Sequence, residues 1–291
     1  MNNTPVKNGL YPLILNRNNL VSDSNNNTYR YSFPAGAAQF QNSKIAIANI
    51  NIFFSWFNIT AANNNNTFQI TFPTLAGSTT YTITIPDGYY SIPQLNSYIQ
   101  QFSIINGLYL VNTAAQNVYY FEFVENPSAY AVQFNSYPVP TALPGGWTNP
   151  GGMTFPVVAS TPLLIVQANN FRNFIGFNAG TFPAVFQATN YSKTSDFTPQ
   201  VNLVSSIILT CSLLNNRYVL PGTILYSFTP SSFSFGDMIN EKPPELSFID
   251  IQDGQYSDFT ITLLNQNLEP ITIRDTNVVI QLIIDAPSGR F

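Results

Sequence analysis

Along most of this chain apolar and polar residues alternate with a period of two. "TYRYSF" (28–33), "TFQITF" (67–72), "TYTITI" (80–85) and "DFTITLL" (258–264) each turn one apolar face inward, as half-buried strands do. Four further runs, "KIAIANINIFFSWF" (44–57), "NLVSSIILTCSLL" (202–214), "TILYSF" (223–228) and "NVVIQLII" (277–284), carry strong strand signal. The apolar phase of the first slips near Asn49, which predicts a bulge or burial on both faces. "GLYLVN" (107–112) and "VYYFEF" (118–123) suggest a hairpin, while "PLLIVQ" (162–167) and "RNFIGF" (172–177) are weaker strand signals. Helix signals gather only in "IPDGYYSIPQLNSYIQQF" (85–102). There Ser91 and Gln94 form a capping-box pair, and Leu95, Tyr98, Ile99 and Phe102 fall on one helical face.

Residues 1–27 are polar, broken by Pro5 and Pro12, and read as an N-terminal arm. "PTALPGGWTNPGGMTFP" (140–156) is too rich in proline and glycine for regular structure and reads as a surface loop. With an excursion at about 86–200 set aside, four strands precede it and four follow, once "ELSFIDI" (245–251) is taken as a loop strand. Eight antiparallel strands in two sheets is the jelly-roll count. The expected fold is therefore all-β: a single jelly-roll β-sandwich over 28–291, with a long excursion or insertion and one short helix. The same strands could make two separate sandwiches, but no flexible Gly/Ser linker divides them, and 202–284 alone supplies too few strands to close. The helix, at the start of the excursion, is expected to cover one open end of the sandwich.

Composition sharpens this picture. Of 291 residues, 45% are hydrophobic, enough for a sizeable core, yet only 8% are charged against about 25% in an average soluble domain. A polar but nearly uncharged surface lacks self-repulsion and favours association, so an oligomer or assembly is expected. The net charge is −4, and no Lys or Arg occurs between Lys44 and Arg172, which argues against nucleic-acid binding through phosphate contacts. No apolar run is long enough for a membrane span. A single cysteine, Cys211, allows no internal disulfide and suits a reducing compartment such as the cytoplasm.

The chemistry-bearing residues are few. The chain has no histidine, which removes the commonest general base and metal ligand and every Ser-His-Asp or Cys-His arrangement. Cys211 stands in the middle of an apolar strand and reads as core. No glycine-rich phosphate loop or zinc spacing is present, so no cofactor is expected. Nine of fourteen acids follow residue 230. Paired carboxylates there could hydrolyse a glycosidic bond, or Asp250, Asp253 and Asp258 could hold Ca²⁺, although their register is not that of an EF-hand and no terminal Glu follows. The simpler reading gives these acids to turns and subunit rims. Trp147, borne on the Gly/Pro loop, is the candidate interface residue.

Several segments carry a resemblance. "VSSIILTCSLLNN", "ILYSFTPSSFSFG", "PPELSFIDIQDGQYSDFTITLLNQNLEPITIRD" and "VVIQLII" together resemble the C-terminal half of the penton, or minor capsid, proteins of virophages and Polinton-type elements. "TYTITIPDGYYSIPQLNSYI" and "NFIGFNAGTFP" resemble further segments of that family. The resemblance implies a structural, non-enzymatic role: homopentamers at the five-fold vertices of an icosahedral virion, next to the major capsid protein, made in the host cytoplasm. No active site comes with it. A β-sandwich carbohydrate-binding or virion attachment protein is the alternative expectation.

Overall fold

The computed structural model describes residues 8–22, 25–216, 218–230 and 233–287. The chain divides into two compact units, Met1–Trp56 with Val204–Phe291, and Phe57–Leu203.

The first unit holds eight main strands: β1 (Asn8–Leu15), β2 (Thr28–Ser32), β3 (Lys44–Phe53), β4 (Ile207–Cys211), β5 (Ile224–Phe228), β6 (Met238–Glu241), β7 (Asp258–Leu264) and β8 (Val279–Pro287). One sheet runs β1-β8-β3-β6 and the other β5-β4-β7-β2, with every pairing antiparallel. This order, in which the first and last strands lie side by side and the chain switches between sheets, is that of a jelly roll. Two further pairings finish its margins: Ile249–Asp250 on the start of β3, and Ala38–Phe40 with Gly254–Tyr256. Ile45, Ile47, Ile50 and Ile52 of β3 and Ile280, Leu282 and Ile284 of β8 are buried, as are Leu209, Phe259, Ile261 and Leu263 of the other sheet.

The expected slip in β3 is a bulge. Gln281 pairs with Asn49 but Leu282 with Ile47, so Ala48 is passed over and both isoleucine pairs face inward.

Eight strands were expected, but two of them are different segments. Residues 1–27, read as an arm, contain β1. Pro12, taken there as a breaker, is accommodated on β1, the outermost strand of its sheet, where every second N–H faces away from the ladder. The part of that arm at residues 1–7 lies outside the described residues. The other unforeseen strand is β6, four residues with only Ile239 buried, too short to show a period. In exchange, the hairpin of Thr67–Thr74 and Gly77–Thr84 belongs to the second unit, which therefore starts well before residue 86. Clean alternation identified that hairpin as strands but said nothing of which sheet it joins. Its turn is tight, Thr74 pairing with Gly77 across two residues.

The second unit is built on phenylalanine. Gly180–Phe182, Leu163–Val166, Thr67–Thr74 and Gly77–Thr84 form a four-stranded sheet, and Tyr191–Thr194, Ala131–Ser136 and Phe121–Asn126 a three-stranded one. Tyr109–Val111 and Asn117–Tyr119 make the small hairpin foreseen from sequence. Phe68, Phe72, Phe121, Phe123, Phe134, Phe171, Phe174 and Phe177 are all buried, with Phe68 and Phe171 stacked at 4.7 Å and 7°. "RNFIGF" is not a strand: Phe171–Ile175 is a short helix, α2, ended by Gly176 at φ 78°, a left-handed cap favouring glycine.

The expected helix, which we name α1, spans Ile92–Ile105. Ser91 Oγ accepts from the Gln94 amide at 3.3 Å, and Gln94 Oε1 from the Ser91 amide at 2.8 Å. Leu95 and Ile99 are fully buried, and Tyr98 and Phe102 half-buried against the same core. The helix lies within the second unit. There Asn96 Oδ1 accepts from the Phe123 amide at 3.2 Å.

Asn58 closes the neck of this unit. Its Nδ2 donates to the carbonyls of Tyr90 and Val201, both at 2.8 Å, and its Oδ1 accepts from the Tyr90 amide at 2.8 Å. The first and last segments of the unit are thereby tied together by one buried amide.

Replacing Leu95 or Ile99 with Ala should cost about 2–5 kcal/mol each, because both sites are sealed and a truncated side chain leaves a cavity. Denaturant melts of each variant against the parent measure this; unchanged midpoints in both would contradict the packing of α1.

Candidate functional site

The acids after residue 230 are dispersed rather than gathered. Asp250 forms an exposed ion pair with Lys44 at 3.5 Å. Asp253 Oδ1 accepts from the Asn42 amide at 2.9 Å, and Asp258 accepts from Ser257 Oγ at 3.0 Å while lying 3.8 Å from Arg30 Nε. The three calcium candidates thus reach separate partners and share none. Among the described residues no group of three or more His, Cys, Asp or Glu side chains comes together. Asp237 accepts from the Ser234 amide, Asp275 from the Asn277 amide and Glu269 from Asn265 Nδ2, all local turn contacts. Glu241 accepts from the Tyr226 hydroxyl at 2.7 Å, joining β6 in one sheet to β5 in the other.

Cys211 lies within β4, fully buried, and burial pushes its thiol up to about 12, so at neutral pH it is a protonated core residue and a poor nucleophile.

Trp147 sits in the glycine-rich loop where sequence placed it, half-buried against the phenylalanine core. The loop itself is tied down. Asn149 bonds Met153 through both its side-chain amide and its carbonyl at 2.8 Å, and Thr148 bridges Val111. Gly151 faces Gly107 so closely that a Cβ on either would meet the other's backbone at 2.3 Å. Only glycine at both positions lets the loop seat on the end of α1.

Most of the perturbed groups are phenols. Tyr120, Tyr137 and Tyr226 are each pushed up to about 12, in every case first by burial, with Glu122 adding to the effect at Tyr137 and Glu241 at Tyr226. Tyr29 is raised further by burial and by the charge of Asp275. These groups hold protons tightly at neutral pH and brace the structure; they are not placed as acid–base pairs with a reacting centre between them.

No protein-family model matches the chain, and no curated protein does. Two solved structures are similar to it along nearly its whole length. One is the crystal structure of the mavirus penton protein, at 10% identity and a TM-score of 0.46, covering 96% of this chain and 98% of that one. The other is the cryo-EM structure of the Sputnik virophage, at 10% identity and a TM-score of 0.33, covering 97% of this chain and 98% of that one. No helix among the described residues is long and apolar enough to cross a membrane.

The raised phenols set an alkaline limit. A phenol whose folded pKa lies above its ordinary value near 10 contributes stability that is complete below that value and lost as pH climbs through the folded pKa. Unfolding free energy should therefore hold steady to about pH 10 and fall between about 10 and 12. Urea melts across this range measure it, and Tyr226→Phe should flatten part of the fall. A parent curve that stays level through pH 12 would contradict the assignment.

Proposed function

We propose that this protein is a structural capsid protein, a penton or minor capsid protein. In this reading it forms homopentamers at the five-fold vertices of an icosahedral virion, beside the major capsid protein of the same particle, after synthesis in the host cytoplasm. The observation that carries the proposal is where the penton-like sequence segments fall. "VSSIILTCSLLNN", "ILYSFTPSSFSFG", the long segment ending "ITIRD" and "VVIQLII" hold β4, β5, β7 and β8, the return half of the jelly roll. "TYTITIPDGYYSIPQLNSYI" leads into α1, and "NFIGFNAGTFP" runs from α2 into the strand Gly180–Phe182. The resemblance thus follows the element plan of both units.

Surface chemistry supports the same reading. A cyclic ring needs heterologous contacts, one patch meeting a different patch on the next copy. Uncharged Asn, Ser and Thr surfaces desolvate at lower cost than Lys or Glu and can hydrogen-bond across such a seam. The half-exposed ring of Trp147 is a candidate contact there. A non-enzymatic role is supported by the lack of histidine, the buried Cys211 and the separation of Asp250, Asp253 and Asp258.

Size-exclusion chromatography with multi-angle scattering should report five times the chain mass. That mass should barely change between about 50 mM and 500 mM salt, since few charges are present to be screened. A strict monomer at high protein concentration would sink the penton reading, and specific binding on a glycan array by such a monomer would favour the attachment alternative.

A further inference from the structure

The second unit has two unlike ends. At one, Asn58 joins the segments by which the chain crosses into and out of the unit, and Asn66 accepts from the Ile85 amide beside it. At the other lie Thr74, Gly77, Leu163 and Phe182, the opposite termini of the four-stranded sheet. A strand of eight residues spans roughly 25 Å, so this far end stands well away from the neck.

At the far end, aliphatic side chains are left in water. Leu75, on the hairpin tip, is 66% exposed; Val157 and Val158, leading toward Leu163, are 76% and 65% exposed; Val185, following Phe182, is 68% exposed. The Thr161 amide donates to the Gln187 carbonyl, which holds the segment carrying Val185 and Phe186 alongside the one carrying Val157 and Val158. Ile105, 74% exposed, ends α1, and the residues after it share a shallow depression with Leu75 and Met153.

Two properties narrow what such an end would meet. The loops that carry these side chains hold no charge, since no Asp, Glu, Lys or Arg occurs between Glu125 and Arg172, nor from Gly180 to Ser192; the acid nearby, Glu122, accepts from the Tyr137 hydroxyl and Asn135 Nδ2. Its prominent residues are aliphatic and project singly from separate loops, whereas protein-binding hot spots favour Trp, Tyr and Arg in packed pockets. Aromatic groups stand behind the aliphatic tips instead, with Tyr81 lining the depression and Trp147 half-buried in the adjoining loop. Aliphatic in front and amphipathic aromatic behind is the grading of a membrane interface. The net charge of −4 opposes an anionic surface.

We propose that the far end of the inserted unit, through Leu75, Ile105, Val157, Val158, Val185 and Phe186, inserts into the outer leaflet of a zwitterionic lipid bilayer. The contact is interfacial and non-directional. It is separate from ring formation and does not depend on the capsid reading.

The test is flotation of the full chain with phosphatidylcholine vesicles, with and without 30% phosphatidylserine, at low and high salt. The parent should float with pure phosphatidylcholine, unaffected by salt and no better with the anionic lipid. Val157→Asp with Val158→Asp should lower partitioning on the order of a hundredfold, since two apolar side chains are lost from the leaflet and two charges gained. Leu75→Asp with Val185→Asp, in another pair of loops, should do the same. Thermal midpoints should stay at the parent value, because all four sites are exposed. Failure of the parent to float would overturn the proposal, as would flotation that requires anionic lipid or survives both variants. So would a change of oligomeric mass in the variants without lipid binding by the parent, which would reassign the surface to contact between copies. A monomeric parent that floats would leave this proposal standing and remove the penton reading alone.

Discussion

Strand β8 lies between β1 and β3, and that double pairing is the constraint on which the rest of the molecule depends. It aligns Asn8 with Pro287 at one side and Lys44 with Asp285 at the other, bringing together the first and last described strands and a strand near residue 50. Such non-local pairing costs loop-closure entropy before any contact repays it. The return is the alternating burial of Ile280, Leu282 and Ile284 against Ile45, Ile47, Ile50 and Ile52, each fully buried aliphatic side chain contributing about 1.5–3 kcal/mol. The bulge at Ala48 keeps both halves of β3 in phase with that core. The whole second unit is inserted between β3 and β4. Asn58 makes this topologically inexpensive, because the unit hands the chain back beside the point where it took it up.

The scarcity of charge has a structural counterpart in asparagine. Several turns are closed by Asn side chains. Asn112 Oδ1 accepts from the amides of Ala114 and Gln116, Asn265 Oδ1 from those of Asn267 and Glu269, and Asn149 clamps Met153. Asn25, Asn26, Asn42 and Asn64 take positive φ, which asparagine tolerates better than most residues. The composition therefore does two things at once. It satisfies loop backbone locally, and it leaves a surface without the charges that would keep copies apart or hold the chain off a neutral interface.

What could be read from sequence divides along physical lines. Period-two alternation located β2 and β7, because half-buried strands write their environment into every second residue, and apolar runs located β3 and β8, the slip of phase near Asn49 marking the bulge. The capping box and helical spacing located α1 for the same reason. Edge strands write much less: β1 carries Pro12 and shows Leu10 and Ile14 to solvent, and β6 buries only Ile239. Partner choice is not written locally at all, so the hairpin at 67–84 could be recognised as strands yet assigned to the wrong sheet. The helix at 171–175 was hidden by an apolar run too short to show its period. For function, the separation of Asp250, Asp253 and Asp258 depends on tertiary placement and needed coordinates. The exposed valines at 157, 158 and 185 were invisible for the opposite reason, since a valine in a loop looks the same in sequence whether it faces the core or water.

Native-state hydrogen exchange tests the central pairing most directly. If β8 organises the jelly roll, the amides of Ile45–Ile52 and Ile280–Ile284 that bond across the ladder should exchange last in the first unit, only through its global unfolding. Exchange of these amides as fast as those of the surrounding loops would contradict the account, because the strand held between β1 and β3 would then open without the rest.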